Sequence, residues 1–352
     1  MPSFPTIKPS DPQGLVFESP PEPVESLSPW SDFCLREIEP LRVEGDGEFS
    51  PNYLIEGDNL AALMLLQETH EAAFDLIYID PPHNTRNKKL TYADSFIRAG
   101  GTFPHARWLS FMERRLRLAR DLMSGNGSIF ISIDDREAAP LRLLCDELFG
   151  ERNFVATVVW EKKAYAQNDA RWFSMNHESI LVFAKDKRIW RPNLLPRTAK
   201  MDAGYRNADG DPRGAWRDDN LLAKTYNPVG DYPIELPSGR AVSPPKGLCW
   251  RVSEDRFREL VADDRIWFGA SGDNVPRLKR FLSEVRPGAV CKTVWRKDEV
   301  GDTGEGTRDL KKLFGGEVVF TSPKPVRLIG RIIELATKPN SLVLDFFAGS
   351  GT

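Results

Sequence analysis

The chain has 352 residues, a formal net charge of −3, 41% hydrophobic and 28% charged residues, which gives length for two or three domains and the composition of an ordinary soluble globular protein. No apolar run approaches the roughly 20 residues that span a bilayer, and the N-terminus lacks the basic and apolar regions of a signal peptide; these features argue against a membrane or secreted protein, and a cytoplasmic one is expected. Cys34, Cys145, Cys249 and Cys291 are scattered without CxxC spacing, which argues against a zinc site and for reduced thiols.

In chain order, residues 1–40 are rich in Pro, Ser and Glu, with Pro20, Pro21 and Pro23 close together, and read as a flexible extension that cannot bury enough apolar surface to offset its ordering entropy. A strand is expected over 53–56, then Gly57, a cap at Asp58 or Asn59, and a helix carrying Leu60, Leu63, Met64 and Gln67. Residues 75–85 read DLIYIDPPHNT. The apolar run predicts a buried strand over 74–80 that delivers Asp80 to its C-terminal end, where open α/β sheets place ligand sites. Pro81 and Pro82 then fix the backbone just past the carboxylate. A strand-end aspartate before proline also serves simply to cap a turn.

Apolar spacing predicts a helix over 108–122, its several arginines fitting a solvated face, and Ser124-Gly125-Asn126-Gly127 should break it. A strand over 128–133, a helix over 137–149 and strands over 154–160 and 179–184 follow. The alternation across 41–185 is that of a doubly wound α/β domain. From 186 to 318 Pro, Gly, Trp and Arg interleave with little helical period outside 253–263, which reads as an inserted, irregular, β-rich domain. Taken singly, its aromatics fit core positions better than base-stacking ones; together with the arginines they suit a nucleic-acid reader. Residues 319–352 return to α/β grammar: Thr321-Ser322-Pro323-Lys324-Pro325, an amphipathic helix through Val326, Ile329, Ile332, Ile333 and Leu335, a strand over 341–345, and Phe346-Phe347-Ala348-Gly349-Ser350-Gly351-Thr352. Gly349 and Gly351 lack Cβ atoms, so a nucleotide-type ligand can approach the backbone there.

Together, IDPPHNT and LDFFAGSGT resemble the catalytic and cofactor motifs of the S-adenosylmethionine-dependent DNA amino-methyltransferases. Their order, catalytic motif first, insertion next, cofactor motif last, resembles the β class. The segments GDNLAAL, ISIDD and TSPKPVRLIGRII are similar to those of the modification subunits of type III restriction-modification systems, so the resemblance covers most of the chain beyond about residue 50. It implies a Rossmann-like methyltransferase sheet with an inserted target-recognition domain, S-adenosyl-L-methionine as cofactor, double-stranded DNA as substrate, and a restriction subunit and a second copy as partners.

The same resemblance implies roles. Asp80 and the Pro81 carbonyl would accept hydrogens from the exocyclic amine of a flipped base, with the Pro81-Pro82 turn fixing their aim. His83 stands where the family carries an aromatic, usually tyrosine, that stacks on that base; imidazole stacks too, but is smaller and can carry charge, and it can instead stabilise the turn. Asp58 would approach the cofactor's adenine, or only cap its helix. Asp345, Phe347, Gly349 and Gly351 would hold the methionyl end, under a segment containing Lys324 and Pro325. No metal is called for. The chain stops inside the glycine loop, where the family continues with a helix and a further strand, so a C-terminally truncated chain with an incomplete sheet is expected. Adenine-N6 methylation leads, because the first motif residue is Asp where cytosine enzymes often have Ser; cytosine-N4 methylation and a non-catalytic DNA-recognition subunit are the alternatives.

Overall fold

The computed structural model describes residues 34–36, 52–85, 104–168 and 170–352. The expected extension over 1–40 lies outside them, save for 34–36. The chain divides into two compact units, Met1–Asn193 with Cys291–Thr352, and Leu194–Val290. Among the described residues no helix is long and apolar enough to cross a membrane.

The first unit is built on a six-stranded sheet. Its strands are β1 (Phe74–Ile79), β2 (Met123–Ile133), β3 (Phe154–Glu161), β4 (His177–Ala184), β5 (Val294–Trp295) and β6 (Val343–Leu344), in the spatial order β5-β3-β4-β2-β1-β6. β1 lies parallel to both β2 and β6, while β4 is antiparallel to β2 and β3. The architecture is therefore mixed α/β, with β5-β3 and β2-β1-β6 paired in parallel on either side of the antiparallel strand β4. β3 and β4 run antiparallel because no helix lies between them to carry the chain back over the sheet.

Period-two alternation divides the side chains of β1 between two layers. Ile77 and Ile79 meet Leu63 of α1 (Asn59–His70), Trp108, Met112 and Leu116 of α2 (Pro104–Leu122) and Leu141 of α3 (Asp135–Cys145) in one buried core. On the opposite face, α5 (Val326–Ala336) packs against β1 and β2 and buries Leu328, Ile332 and Leu335.

Two expectations about local structure fail. Residues 53–56 form no strand: Tyr53 and Leu54 are exposed, Ile55 alone of the four touches the core, and the short apolar run pairs with no neighbouring strand. The glycine-rich breaker does end α2, but the chain enters β2 at once, at Met123, and Gly127 passes so near β1 that a Cβ there would lie 2.7 Å from the Phe74 carbonyl oxygen. Missing from the sequence reading is α4 (Thr303–Leu313). Its Gly306 lets the helix lie against the backbone of Pro323 and Lys324, where any Cβ would collide with the Pro323 carbonyl.

The second unit begins and ends inside the expected 186–318 segment. A three-stranded antiparallel sheet of Trp216–Asn220, Arg277–Phe281 and Ile266–Trp267, with the helix Glu254–Ala262, surrounds a core that includes Tyr232, Trp250, Phe257 and Leu260. Lys279 is 1% exposed and is held by Asp209 at 2.5 Å, Asp264 at 3.0 Å and Asp211 at 3.3 Å.

Candidate active site

At the end of β1 the turn after Asp80 is fastened from behind. Buried Trp108 on α2 donates its indole N–H to the Pro82 carbonyl at 2.6 Å. Asn84 adopts a positive φ of 55°, a left-handed conformation that asparagine tolerates better than most residues. Its amide donates to fully buried Glu137 of α3 at 2.6 Å, and His105 lies 2.8 Å from the same carboxylate oxygen. These contacts join the proline turn to two helices, so the position of Asp80 rests on secondary structure rather than on a free loop.

Asp80 is the hub of a charged cluster. One oxygen lies 3.1 Å from His83 Nε2, and the other accepts from Lys324 Nζ at 2.6 Å. Lys324 also reaches Glu178 on β4 at 2.9 Å, and Lys162 holds the other Glu178 oxygen at 3.1 Å. Glu178 is 4% exposed and the Lys324 side chain 9%. Burial alone would raise the Asp80 carboxyl, but the Lys324 charge and the His83 contact outweigh it and hold the group below the usual carboxylate range. Glu178 is lowered in the same way, against its burial, chiefly by Lys324. Burial would lower Lys324, yet its two carboxylates raise it well above an ordinary lysine. His83 is raised too, its burial overcome by the hydrogen bond to Asp80 and the charge of Glu178. Beneath them, Tyr78 shares a hydrogen bond of 3.0 Å with Ser132, and burial followed by the Asp80 charge pushes its hydroxyl up. Two residues before Lys324, Ser322 carries a positive φ of 58°, a conformation non-glycine residues keep only when the surroundings hold it.

A cavity of about 1250 Å³ opens over this cluster and brings together Asp58, Asp80, Pro82, His83, Lys324, Asp345, Phe347 and Gly349. Pro81 and Pro325 are buried and do not line it, and Gly351 lies between Ser350 and Thr352, which do. Asp58 caps α1, accepting from the backbone N–H groups of Leu60 at 3.0 Å and Ala61 at 3.2 Å, while Arg115 stands 3.7 Å from its other oxygen. At the end of β6, Asp345 accepts from the Phe347 N–H at 2.9 Å. Its surface is open to the cavity, but protein atoms crowd it on the remaining sides, and this low-dielectric surrounding pushes the carboxyl up to about 7 against the pull of that N–H. Gly349 and Gly351 have φ of 55° and 70°. A Cβ on Gly349 would press on the Phe320 ring at 3.1 Å, so any other residue there would strain the loop and displace that ring. The floor at Asp345 is thus an acidic, partly desolvated cradle beside exposed backbone, a hydrogen-bond acceptor suited to a ligand carrying an ammonium group.

Sequence reasoning missed Glu178, Trp108, Glu137 and Arg115. Glu178 carried one usable signal, a carboxylate in an otherwise apolar strand segment, since β4 is buried from Glu178 to Ala184. Arg115 lies among the arginines of α2 that the sequence assigns to a solvated face, yet it is buried, donating to Asn59 at 2.7 Å and standing over the Phe111 ring at 3.7 Å.

The fold and the paired strand-end carboxylates fit an α/β transferase site, and the comparisons with known proteins define the class. Residues 74–352 match the N6_N4_Mtase family, described as DNA methylase, and the chain belongs to it. It is 36% identical over 327 residues to the type III restriction-modification enzyme StyLTI Mod subunit of Salmonella typhimurium, covering 86% of this chain and 49% of that one. The EcoPI Mod subunit of Escherichia phage P1 is 31% identical over 358 residues, with 86% and 54% covered. The type II methyltransferase M.KpnI of Klebsiella pneumoniae is 32% identical over 337 residues, with 90% and 78% covered. The chain therefore spans about half the length of the Mod subunits it matches.

Proposed function

We propose that this chain carries the methyl-transferring site of a DNA methyltransferase that modifies the exocyclic N6 amine of an adenine turned out of double-stranded DNA, within a restriction-modification system. One observation carries the reading: Asp80 and the Asp345 glycine loop follow hydrogen-bonded, parallel neighbours, β1 and β6, and face one cavity. A base held at the first and a cofactor held at the second would lie side by side.

The lone pair of an aromatic amine is delocalised into its ring, so the site must draw its hydrogens out of plane. Asp80 suits that task. A carboxylate held below its usual range stays ionised, and its charge strengthens the hydrogen bonds it accepts while its low basicity lets it orient the amine without first deprotonating it. The Lys324 Nζ at 2.6 Å shows that a nitrogen donor already reaches this oxygen. Asp345, Phe347 and Gly349 would hold S-adenosyl-L-methionine, with the raised Asp345 carboxyl ionising against its ammonium group; when bound, the sulfonium supplies the electrophilic methyl. His83 borders the cavity beside Asp80 and would face the extruded base. The Leu194–Val290 unit is the segment we assign to target recognition, and a restriction subunit and a second copy of the chain are the partners we carry over, in the cytoplasm.

The test is methyl transfer to DNA by the full-length protein, read as modified nucleosides by mass spectrometry. Asp80→Ala should abolish it, a loss of at least about 100-fold. Unchanged transfer would sink the assignment, and N4-methylcytosine as the product would replace adenine with the second amine the family name covers. Salt-sensitive DNA binding without any transfer would identify a recognition subunit.

A further inference from the structure

We propose that the β3–β4 connection, residues 162–176, carries an aromatic wedge, Trp172 and Phe173, that enters the DNA stack at the position vacated by the extruded base. This rests on the reading above and adds how the duplex is held open.

Trp172 and Phe173 are 81% and 91% exposed, whereas Trp108, Trp160, Trp190 and Trp295 of the same unit are all 3% exposed or less. Adjacent large aromatics left in water mark a contact surface rather than a packing position. Nor is the loop a frayed end. The Gln167 N–H donates to Ser174 Oγ at 2.8 Å, Ser174 donates to Asn176 at 2.5 Å, and the Asn176 amide donates to the Tyr165 carbonyl at 3.0 Å. The connection is stapled to itself, and its aromatic tip still projects.

Placement and charge name the occupant. Gln167 and Met175, on either side of the tip in sequence, line the Asp80 cavity together with Lys162 and Lys163. A group delivered to Asp80 therefore enters a cavity that this loop helps to wall. The segment holds three cations, Lys162, Lys163 and Arg171, against one acid, Asp169. Arg171 stands 5.2 Å from the Trp172 ring and Lys297 5.5 Å from that of Tyr165. Cations beside bare aromatic faces suit phosphates and base stacks together. The tip lies between two residues that line the cavity, Gln167 and Met175, and on the reading above that cavity takes a base, so DNA is the occupant this placement favours.

The experiment uses full-length protein after its modified site has been mapped on plasmid DNA. Steady-state methylation is measured on two oligonucleotide duplexes, one fully paired and one with an abasic site opposite the target base, where extrusion needs little help. Trp172→Ala with Phe173→Ala should lower kcat/KM about 10- to 100-fold on the paired duplex, largely recover on the abasic one, and leave cofactor binding by calorimetry unchanged; Trp172→Phe should retain most activity. An equal fall on both duplexes, no fall on either, or a change in oligomeric state with the duplex preference intact would each overturn the wedge. Wild-type protein that binds cofactor but modifies no site on the plasmid would instead sink the underlying reading, and the wedge with it.

Discussion

Replacing Lys324 with methionine isolates the work of the buried ammonium. In the native chain it neutralises Asp80 at 2.6 Å and Glu178 at 2.9 Å. Methionine keeps most of the stem but leaves two like charges facing one another, with Lys162 on the far Glu178 oxygen and His83 on Asp80. Breaking a buried pair costs about 3–5 kcal/mol; because Asp80 is 29% exposed, the expected loss near neutral pH is at the lower end, about 3 kcal/mol. The pH dependence has a defined sign. In the native chain both carboxyls are held below their ordinary values, so their stabilisation is complete above the unfolded range and is lost as pH falls through the depressed native values. Without the ammonium, burial raises them instead, the folded chain takes up protons before the unfolded one, and the variant gains stability as pH falls from about 8 toward about 5. His83, raised in the native site, protonates on the way down in both proteins and largely cancels. The gap should therefore be widest near pH 8 and narrow near pH 5, by about 1.4 kcal/mol per unit of carboxyl shift. Urea unfolding at both pH values measures it, with hydrogen exchange at β1 and β4 locating the loss. A gap below about 1 kcal/mol near pH 8, or one that does not narrow, would refute the electrostatic account.

Two further perturbations test the scaffold. Trp108→Phe removes the donor to the Pro82 carbonyl while leaving most of the buried ring; it should cost about 1–3 kcal/mol and lower kcat more than it raises KM, and an unchanged kcat would show that the turn needs no tether. In the second unit, Lys279→Met removes the buried ammonium from Asp209, Asp211 and Asp264, but Arg213 still holds Asp211, Trp216 still donates to Asp209 and Asp264 is largely exposed, so the loss should be about 1.5–3 kcal/mol, seen as faster amide exchange confined to Leu194–Val290; exchange spread over both units, or none, would contradict a local staple.

Elements stabilised by local signals were legible. The apolar run ending at Pro81-Pro82 announces β1 and its carboxylate because burial and proline stiffness act within a few residues, and the amphipathic pattern of α5 is equally self-contained. Where pairing decides, the sequence says less. Residues 53–56 carry a short apolar run like a strand's, but a ladder needs a neighbour that composition does not reveal. The glycines at the start of β2 look like a breaker because the use of Gly127, close passage over Phe74, is a tertiary requirement. α4 escaped notice since its Gly304 and Gly306 depress helix propensity, while Gly306 is what admits the Lys324 backbone.

The charged cluster was the least legible part, and the reason is topological. Asp80, Glu178 and Lys324 come from widely separated segments, and no spacing rule links them. Sequence placed Lys324 on the cofactor side; the structure puts its Nζ on Asp80, so the segment beside the glycine loop and the carboxylate of β1 share one ion pair. On the proposed reading this sharing makes the site easy to open. A neutral amine that donates to Asp80 displaces an ammonium already 2.9 Å from Glu178, and the displaced charge keeps a buried partner rather than being stranded. Glu178 is then the residue that lets Lys324 both protect Asp80 and leave it, and Glu178→Gln should bind Lys324 to Asp80 more tightly and slow transfer while leaving cofactor binding intact. Transfer as fast as in the native chain would show that the ammonium never has to move.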